Sequence, residues 1–570
     1  MNTNPFIVQS DLTVLVDVSS PRYAEARDAL APFAELVKSP EHIHTYRISP
    51  LSIWNACAAG VPMGDILGAL NEYARFPVPA HVATQVRDFA HRFGRVRIER
   101  DEDDPAAEFL LVHTSDAVLA EELAHGKQLA PLLADRIAPT VFRIRHTLRG
   151  RIKQALIKAG FPAEDIAGYS VGESLAVALR PLTRSDIPFA LRDYQTDAVN
   201  AFHVHGAERG GSGVIVLPCG AGKTIVGMGA IAAVQASTLI LTTSVTAVRQ
   251  WIAELLDKTA IPEAMIGEYS STTKEVRPVT VATYQILTHR SRKDAEFTHL
   301  ALFDRRDWGL IIYDEVHLLP APVFQITATL QARRRLGLTA TLVREDGRED
   351  DVFALIGPKK ADVPWKVLER QGWIATAVCT EVRVPLGEAL RLPYAVAEQR
   401  DKFRIASENP AKSQVVRDIL ARHAGEPALI IGMYVDQLEA IAAEMKVPII
   451  TGTTAQLKRD ALYERFRAGA IPALVVSKVA NFAIDLPDAS LAIQISGTFG
   501  SRQEEAQRLG RILRPKQGAN QAHFYSVVTA DTVEQDFALK RQLFLCEQGY
   551  EYEIADAHEL RGTVPVPLAS

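Results

Sequence analysis

The sequence of 570 residues has few cysteines, no long apolar run and little excess charge, and each absence excludes a class of protein. Its four cysteines lie too far apart along the chain to indicate a zinc site or an iron–sulfur cluster. No stretch supplies the roughly 20 apolar residues that a membrane span needs. The first residues, "MNTNPFIVQSDL", lack the basic and apolar regions of a secretory signal. We therefore expect a cytoplasmic protein whose thiols are reduced.

The balance of charge limits how the chain could bind nucleic acid. Lysine and arginine total 63 residues and aspartate and glutamate 68, which gives a formal net charge of −5. Because there is no overall positive field, any contact with nucleic acid must come from a local groove. The length exceeds what a single hydrophobic core supports, so we expect several domains.

Short apolar segments alternate with helix-length segments from about residue 214 onward. The first series reads "GVIVLP", "STLILTTS", "PVTVATYQ", "GLIIYDE" and "RRLGLTAT", and a second series starts near residue 427. Continuous apolar strands that alternate with helices predict a parallel sheet covered on both faces. The predicted fold class is therefore α/β, with two tandem parallel-sheet domains preceded by a mixed α+β N-terminal region.

A glycine-rich loop, "LPCGAGKT", follows the first apolar strand and precedes a helix of small residues. Gly220 and Gly222 would allow backbone N–H groups to close on phosphate oxygens at the positive end of that helix. Lys223 would reach the β- and γ-phosphates, and the Thr224 hydroxyl would hold Mg²⁺. The usual first glycine is Leu217 here, but the strand–loop–helix context keeps the signal strong. The loop predicts ATP and Mg²⁺ as cofactors.

The segment "GLIIYDEVHLLP" ends an apolar strand in two adjacent carboxylates. A phosphate loop after one strand needs a carboxylate at the end of a neighbouring strand to hold the metal, and Asp314 fits that role. Glu315 would lie near the γ-phosphate and polarise the attacking water. His317 would face the second α/β unit and sense the nucleotide state. Without the phosphate loop upstream, the same carboxylates are equally typical of a solvated turn.

Two further segments carry groups that an ATPase uses. The run "QRLGRILRP" begins at Gln507 and places Arg511 and Arg514 on one face of a helix, where they could act as catalytic arginines. In isolation the same run would indicate a basic helix face in solvent. Upstream, "LRDYQTDAV" offers Gln195, whose amide could read the edge of adenine, and Arg192 beside it.

The phosphate loop, the Asp-Glu-x-His box, a "TAT" motif and the Gln-Arg-x-Gly-Arg-x-x-Arg run together resemble superfamily 2 helicases. More narrowly, "LPCGAGKT", "YDEVHLLPAPVF", "TATLVRED", "SKVANFAIDLP" and "KRQLFLCEQGY" resemble the XPB helicase family. The resemblance covers about residues 186–550, and the missing eukaryotic extensions favour a prokaryotic member. It implies an ATP-dependent DNA helicase of 3′ to 5′ polarity with a role in DNA repair, built on two RecA-like domains with ATP in the cleft between them.

The resemblance also implies site residues that the pattern of the sequence does not. The Arg-Glu-Asp motif that the family needs for strand opening corresponds to Arg344, Glu345 and Asp346, and a second copy follows at once. In the motif-V segment only Asp485 matches cleanly as a nucleotide contact. That departure leaves open how strongly DNA is coupled to ATP.

In such a motor, loops at strand ends grip DNA and a linking motif couples the loss of γ-phosphate to domain movement. Thr339 and Thr341 would be that link, together with His317. The contacts should go mostly to phosphates, so binding should be sensitive to salt and nearly blind to sequence. The predicted DNA contacts lie at strand ends and in a thumb-like insertion, and they are Thr243, Arg249, Gln250, Tyr284, Gly452, Thr453, Arg400, Lys402 and Arg404.

The family also suggests domain boundaries. A basic segment, "FRIRHTLRGRIKQALIKAG", would lie in a damage-recognition-like domain, where Arg149, Arg151 and Lys153 are predicted to contact phosphates. A solvated amphipathic helix is the alternative. The predicted regions are an XPB-type domain over 1–114, the damage-recognition-like domain over 115–187, motor domains over 188–362 and 363–550, a thumb-like insertion at about 385–412, and a tail over 551–570.

Three functions remain open at the level of sequence. The first is a monomeric 3′–5′ helicase acting on single-stranded and forked duplex DNA. The second is a double-strand translocase that opens little duplex without a nuclease or another partner. The third is a DNA-binding scaffold without hydrolysis, against which the intact phosphate loop and carboxylates argue. The motifs alone do not separate DNA from RNA, and only the resemblance favours DNA.

Overall fold

The structure divides into two compact units. The first contains Met1–Leu217 and Gly222–Val363, and the second contains Pro218–Ala221 and Pro364–Ser570. The structure is a computed structural model. It describes residues 4–38, 42–104, 108–207, 210–289, 299, 302–303, 305–320, 323, 327, 333–340, 349–477, 489–497, 505, 508–510, 512–513 and 520–560.

The N-terminal part of the first unit contains two small sheets. Its strands are β1 (Phe6–Val8), β2 (Thr13–Asp17), β3 (Glu35–Lys38), β4 (Ile43–Arg47), β5 (Val96–Arg100), β6 (Phe109–Thr114), β7 (Arg136–Ala138), β8 (Val141–Arg145) and β9 (Ala163–Asp165). Four strands pair antiparallel in the order β1-β2-β4-β3. The other five follow the order β7-β8-β6-β5-β9, in which only β5 and β9 are parallel.

Among the residues that the structure describes, six α-helices accompany these sheets, and a side-chain cap marks the start of α2. The Ser49 side chain accepts a hydrogen bond from the backbone N–H of Ser52, which satisfies a donor that the first turn leaves unpaired. The helices are α1 (Tyr23–Leu30), α2 (Pro50–Ala58), α3 (Met63–Tyr73), α4 (Ala80–Arg92), α5 (Ala117–His125) and α6 (Arg149–Lys158).

A seven-stranded parallel sheet forms the rest of the first unit. Its strands are β10 (Ser212–Val216), β11 (Thr238–Thr242), β12 (Ile266–Tyr269), β13 (Val279–Thr283), β14 (Leu310–Asp314), β15 (Arg334–Thr339) and β16 (Lys359–Asp362). They follow the order β12-β13-β11-β14-β15-β10-β16, so the carboxyl ends of β14, β15 and β10 are neighbours. The helices are α7 (Asp193–His203), α8 (Lys223–Val234), α9 (Val245–Lys258), α10 (Tyr284–Leu287) and α11 (Glu349–Leu355). Such an edge is where parallel sheets bind ligands.

The N-terminal part packs onto this sheet through a shared hydrophobic core. Trp54 of α2 and Ile157 of α6 belong to the same buried cluster as strand residues such as Val214 and Ile311. The backbone N–H of Lys359, on the edge strand β16, donates to the side-chain oxygen of Asn55 at 3.1 Å. The N-terminal elements therefore fold together with the parallel sheet as one unit.

Helix α6 corrects a prediction. Arg149 is 2% exposed and donates to both carboxylate oxygens of Asp165, while the Lys153 ammonium lies 3.0 Å from the same carboxylate. Arg335 is fully buried, and its positive charge contributes to lowering the pKa of Lys153. We call Arg149, Lys153, Arg335 and Asp165 the buried cation cluster. Neither phosphate contact nor a solvated helix face holds for Arg149 and Lys153, and only Arg151 is exposed.

The buried cation cluster makes stability depend on pH. Burial lowers the pKa of Lys153 to about 8, although Asp165 opposes the shift. In the unfolded chain a lysine has a pKa of about 10.4, so between these values the unfolded state binds more protons. We expect the free energy of unfolding of the wild type to rise, relative to that of Lys153→Met, as pH increases from about 8 to about 10. Chemical denaturation of both proteins across that range checks it, and a constant difference would contradict it.

The second unit is also built on seven parallel strands. They are β17 (Thr376–Val384), β18 (Ala428–Ile431), β19 (Ile449–Ile450), β20 (Ala473–Val476), β21 (Leu491–Gln494), β22 (Gln521–Thr529) and β23 (Tyr552–Asp556), in the order β19-β20-β18-β21-β22-β17-β23. Its helices are α12 (Trp365–Arg370), α13 (Glu388–Val396), α14 (Gln399–Ser407), α15 (Lys412–Arg422), α16 (Val435–Met445), α17 (Gln456–Arg467) and α18 (Val533–Glu547). The predicted fold class, with two parallel-sheet domains after a mixed N-terminal region, is confirmed.

The exact domain boundaries remain a prediction. Within the described ranges, no helix combines the length and the apolar character that crossing a bilayer requires.

Candidate active site

The glycine-rich loop connects β10 to α8 as predicted from the sequence. The strand continues to Leu217, whose backbone N–H donates to the carbonyl of Thr339 on β15 at 3.0 Å. Gly220 and Gly222 both have a φ of +82°, a left-handed conformation that favours glycine. A Cβ on Gly222 would lie 2.6 Å from the side-chain nitrogen of Gln195, so a larger residue would have to displace that amide. The glycines therefore provide the left-handed turns that lead the loop into the start of α8.

Lysine and carboxylate meet at the end of the sheet. The Lys223 ammonium lies 3.0 Å from Oε1 of Glu315, and both side chains are mostly buried, with 13% and 20% exposure. Glu315 follows β14 in a left-handed conformation, with φ 51° and ψ 54°. That conformation costs a residue with a side chain about 1–2 kcal/mol, and such strain is concentrated at functional sites. The turn directs the Glu315 carboxylate toward the phosphate loop.

Asp314 accepts three hydrogen bonds, two through its carboxylate and one through its backbone carbonyl. Its Oδ2 accepts a hydrogen bond from the indole N–H of Trp251 at 2.9 Å, and its Oδ1 accepts one from the backbone N–H of Glu315 at 3.1 Å. The Tyr284 hydroxyl donates to the Asp314 carbonyl at 3.0 Å. Burial raises the pKa of Asp314 to about 6, with a further contribution from the negative charge of Glu315, while Lys223 opposes the shift. A nearby cation would favour the ionised form.

Two of the predicted coupling residues are in direct contact. Nδ1 of His317 is 2.7 Å from the Thr339 hydroxyl, and it is 3.6 Å from Oε2 of Glu315. His317 is 4% exposed and Thr339 is fully buried. Lys223, Glu315, His317 and Thr339 therefore form a continuous polar path between the phosphate loop and the end of β15.

These residues fit a nucleoside triphosphate and a divalent cation. The two glycines of the loop carry no side chain themselves, and the first backbone N–H groups of α8 follow the loop directly. The Asp314 carboxylate and the Thr224 hydroxyl offer the hard oxygen ligands that Mg²⁺ prefers. Lys223 supplies a positive charge for phosphate oxygens.

Arg192 and Gln195, the pair predicted to contact adenine, lie at the start of α7 and are hydrogen-bonded to each other there. The side-chain oxygen of Gln195 accepts from the backbone N–H of Arg192 at 3.0 Å, and Gln195 is 3% exposed. Its amide nitrogen lies against Gly222, next to the phosphate loop. The position agrees with a role near a nucleotide, and adenine recognition stays a prediction.

The predicted DNA contacts in the first unit fall into two groups. Arg249 and Gln250 of α9 are exposed, and Thr243 at the start of that segment is partly exposed. Tyr284, by contrast, is 3% exposed and its hydroxyl is bonded to Asp314. The buried Tyr284 side chain therefore does not offer the predicted DNA contact, because its hydroxyl donates to the backbone of Asp314 instead.

In the second unit, Gly452 and Thr453 are exposed at the end of β19. The thumb-like segment forms the helices α13 and α14. Arg400 is exposed, whereas Lys402 is partly covered, with its ammonium 5.7 Å from the centre of the Tyr394 ring. Arg404 pairs with Glu408 at 2.9 Å and remains 53% exposed. All three cations of the segment stay candidates for DNA contact.

Several predicted site residues lie outside the described residues, and their roles stay predictions. They belong to the linking motif, the Arg-Glu-Asp motif, the motif-V segment and the arginine run, and they are Thr341, Arg344, Glu345, Asp346, Asp485, Gln507, Arg511 and Arg514.

Comparison with known proteins identifies the family. The model of the ERCC3/RAD25/XPB C-terminal helicase matches residues 368–563, that of the type III restriction enzyme res subunit matches 188–344, and a helicase conserved C-terminal domain matches 6–138. The DNA 3′-5′ helicase XPB of Kineococcus radiotolerans is 53% identical over 565 residues, which cover 99% of each chain. This chain belongs to the XPB helicase family.

Other XPB relatives extend the comparison. The DNA 3′-5′ helicase XPB of Mycobacterium tuberculosis is 52% identical, over 99% of this chain and 100% of that protein. The general transcription and DNA repair factor IIH helicase/translocase subunit XPB of Antonospora locustae is 33% identical, over 97% of this chain and 82% of that protein. The family predicted from the motifs is confirmed, as is the class of enzyme, a superfamily 2 helicase. Membership of this XPB family implies the use of ATP.

One site residue was not predicted from the sequence. Trp251 follows Arg249 and Gln250 on α9, and it lies on the buried face of that helix with Val248 and Leu255. Its hydrogen bond to Asp314 depends on how α9 packs in the XPB fold, which the spacing does not specify.

Proposed function

We propose that this protein is an ATP-driven DNA helicase that moves 3′ to 5′ along one strand and opens duplex DNA. The observation that carries the proposal is the 3.0 Å pair of Lys223 and Glu315 beside Asp314, at adjoining strand ends of a parallel sheet. Full-length similarity to two bacterial proteins named DNA 3′-5′ helicase XPB supports the choice of DNA and of polarity.

The Lys223–Glu315 pair suggests how nucleotide binding prepares hydrolysis. Phosphate oxygens would compete with Glu315 for the Lys223 ammonium, because both are anionic partners for the same cation. Glu315, released from that pair, would orient and polarise a water molecule for attack on the γ-phosphate. His317 and Thr339, in contact with each other and next to Glu315, would sense the change and carry it to β15.

Asp314 and Thr224 would hold Mg²⁺, which when bound neutralises negative charge on the β- and γ-phosphates. The hydrogen bonds from Trp251 and from the backbone of Glu315 fix the orientation of the Asp314 carboxylate. The left-handed turn at Glu315 separates the two carboxylates in direction, so that one serves the metal and the other serves the water.

DNA would bind to exposed groups at strand ends and on the thumb-like helices. Arg249, Gln250, Thr453 and Arg400 are accessible, and arginine side chains neutralise phosphates. Such contacts position a strand without reading its bases. The protein would work as a monomer, since one chain carries both parallel-sheet domains.

Strand displacement tests the proposal. We expect the purified chain with ATP and Mg²⁺ to unwind duplexes that carry a 3′ single-stranded tail and to leave 5′-tailed and blunt duplexes largely intact. The measurement is release of a labelled strand, with ATP hydrolysis followed in parallel. Equal unwinding of both tailed duplexes, or hydrolysis that DNA does not stimulate, would contradict the proposal.

A second function is favoured by one comparison. The Antonospora locustae relative is named a helicase/translocase subunit, so its name gives translocation beside helicase activity. Displacement of a third strand from a triplex, without unwinding of tailed duplexes, would identify a double-strand translocase. A nuclease or another partner would then be required for opening.

A further inference from the structure

Trp251 occupies an unusual place between the phosphate-loop helix and the metal-binding carboxylate. It is 1% exposed and lies on α9, directly after the exposed residues Arg249 and Gln250. Its indole N–H donates to Oδ2 of Asp314 at 2.9 Å. The hydrophobic core alone would not require a tryptophan whose polar edge faces a carboxylate.

The ring of Trp251 rests on helix α8. A Cβ on Gly227 would lie 2.5 Å from Cη2 of the indole, so the absence of a side chain at Gly227 is what allows this approach. Gly227 is one helical turn after Lys223. The indole therefore touches the helix that carries Lys223 and, with its other edge, the carboxylate at the end of β14.

We infer that Trp251 is a positioning residue for Asp314, which sets the orientation in which that carboxylate meets Mg²⁺; the inference rests on the proposed function of the site. A carboxylate bound through one oxygen to a metal turns easily about its last torsion angle. Donors on both oxygens of Asp314, the indole N–H and the backbone N–H of Glu315, restrict that rotation. Partners that orient a ligand typically change metal affinity 10–100-fold when they are removed.

The test compares the loss of this hydrogen bond with the loss of a similar one elsewhere in the unit. Trp251→Phe keeps an aromatic side chain on α9 and removes the N–H together with the outer indole atoms that lie nearest to Gly227. We expect the Mg²⁺ concentration that half-saturates binding of a fluorescent ATP analogue to rise about tenfold, with little change in binding without Mg²⁺. Measuring this in a Glu315→Gln background separates binding from hydrolysis.

A matched control is available in the same unit. Trp308 is fully buried, and its indole N–H donates to the carbonyl of Leu302 at 3.1 Å. Trp308→Phe removes a similar hydrogen bond without touching the nucleotide site, so the Mg²⁺ dependence should match that of the parent. If Trp251→Phe and Trp308→Phe give the same half-saturating Mg²⁺ concentration, the inference is wrong.

A second variant covers the case in which Trp251→Phe does not fold. Gly227→Ala would push the indole away from α8 and disturb its hydrogen bond, so it should raise the half-saturating Mg²⁺ concentration in the same direction. An unchanged Mg²⁺ dependence in a folded Gly227→Ala protein would overturn the inference. Failure of the wild type to unwind DNA would instead overturn the proposed function, while the binding result for Trp251 would stand.

Discussion

Replacing Glu315 with glutamine should lower DNA-stimulated ATP hydrolysis by about 10²–10⁴-fold while nucleotide binding is retained. Glutamine keeps the shape of the side chain but cannot accept the proton of an attacking water, and a positioned general base contributes this much to rate. In the structure the Lys223 ammonium lies 3.0 Å from the Glu315 carboxylate, which would compete with phosphate oxygens for it. Glutamine carries no negative charge and therefore removes this competition. Affinity for ATP should therefore stay within a few-fold of the wild type or increase.

Steady-state hydrolysis with saturating DNA, together with binding of a fluorescent ATP analogue, measures both quantities. Glu173→Gln is a suitable control, since Glu173 is a carboxylate of the same unit that pairs with Arg306 at 2.6 Å and has no proposed part in catalysis. That variant should hydrolyse ATP at the wild-type rate. Hydrolysis by Glu315→Gln at more than a tenth of the wild-type rate would remove Glu315 from the catalytic role.

Asp165→Asn should destabilise the first unit by about 3–5 kcal/mol, the cost of leaving buried charges without their partner. Asp165 is the carboxylate of the buried cation cluster, and the neighbouring positive charges hold its pKa well below the usual range. Asparagine would remove the negative charge that the buried side chains of Arg149 and Lys153 contact. The free energy of unfolding by urea, followed with a probe in the first unit, checks this.

A surface carboxylate provides the matched comparison. Asp116 pairs with Arg95 at 2.6 Å but is 44% exposed, and it also caps α5 by accepting from the backbone N–H of Leu119. Asp116→Asn keeps the cap and loses mainly an exposed ion pair, so it should cost much less than Asp165→Asn. Equal losses for the two variants would show that the cluster is not a stability determinant.

Lys153→Met tests the same cluster from the opposite side. It removes a cation of the cluster rather than its carboxylate, and Arg149 still donates hydrogen bonds to both carboxylate oxygens of Asp165. We expect it to cost much less than Asp165→Asn. A similar loss in both variants would mean that packing around Lys153, not charge, determines the stability of this region.

The central strands and the phosphate loop were predictable because their signals are local. Strands β10, β11, β13 and β14 are mostly apolar runs, which is the pattern of strands buried on both faces, and β15 ends in the similar run Leu336–Thr339. The loop needs only glycine at left-handed positions, followed by Lys223 and Thr224. The edge strands β12 and β16 were not predicted, since Glu268 and the polar run Lys359–Asp362 break the apolar pattern.

The basic helix α6 shows where local reading fails. Its Arg and Lys residues predicted a surface that contacts phosphates. In the structure, Asp165 of β9 pairs with Arg149 and Lys153, and Ile157 of the helix belongs to the hydrophobic core of the parallel sheet. Tyr284 failed for a similar reason, since its hydroxyl turns inward to Asp314. The charge or polarity of a residue does not indicate which side chain from a distant segment will lie next to it in the fold.

The order of residues was sufficient for the class of fold, for the chemical groups at the nucleotide site and for the family, because all of these depend on short runs whose spacing is fixed by strand, loop and helix. Packing alone determined that Trp251 contacts Asp314, that His317 contacts Thr339 and that Arg149 and Lys153 of α6 are buried. Each of those contacts joins segments far apart along the chain, and the distance between such segments depends on how the whole unit folds.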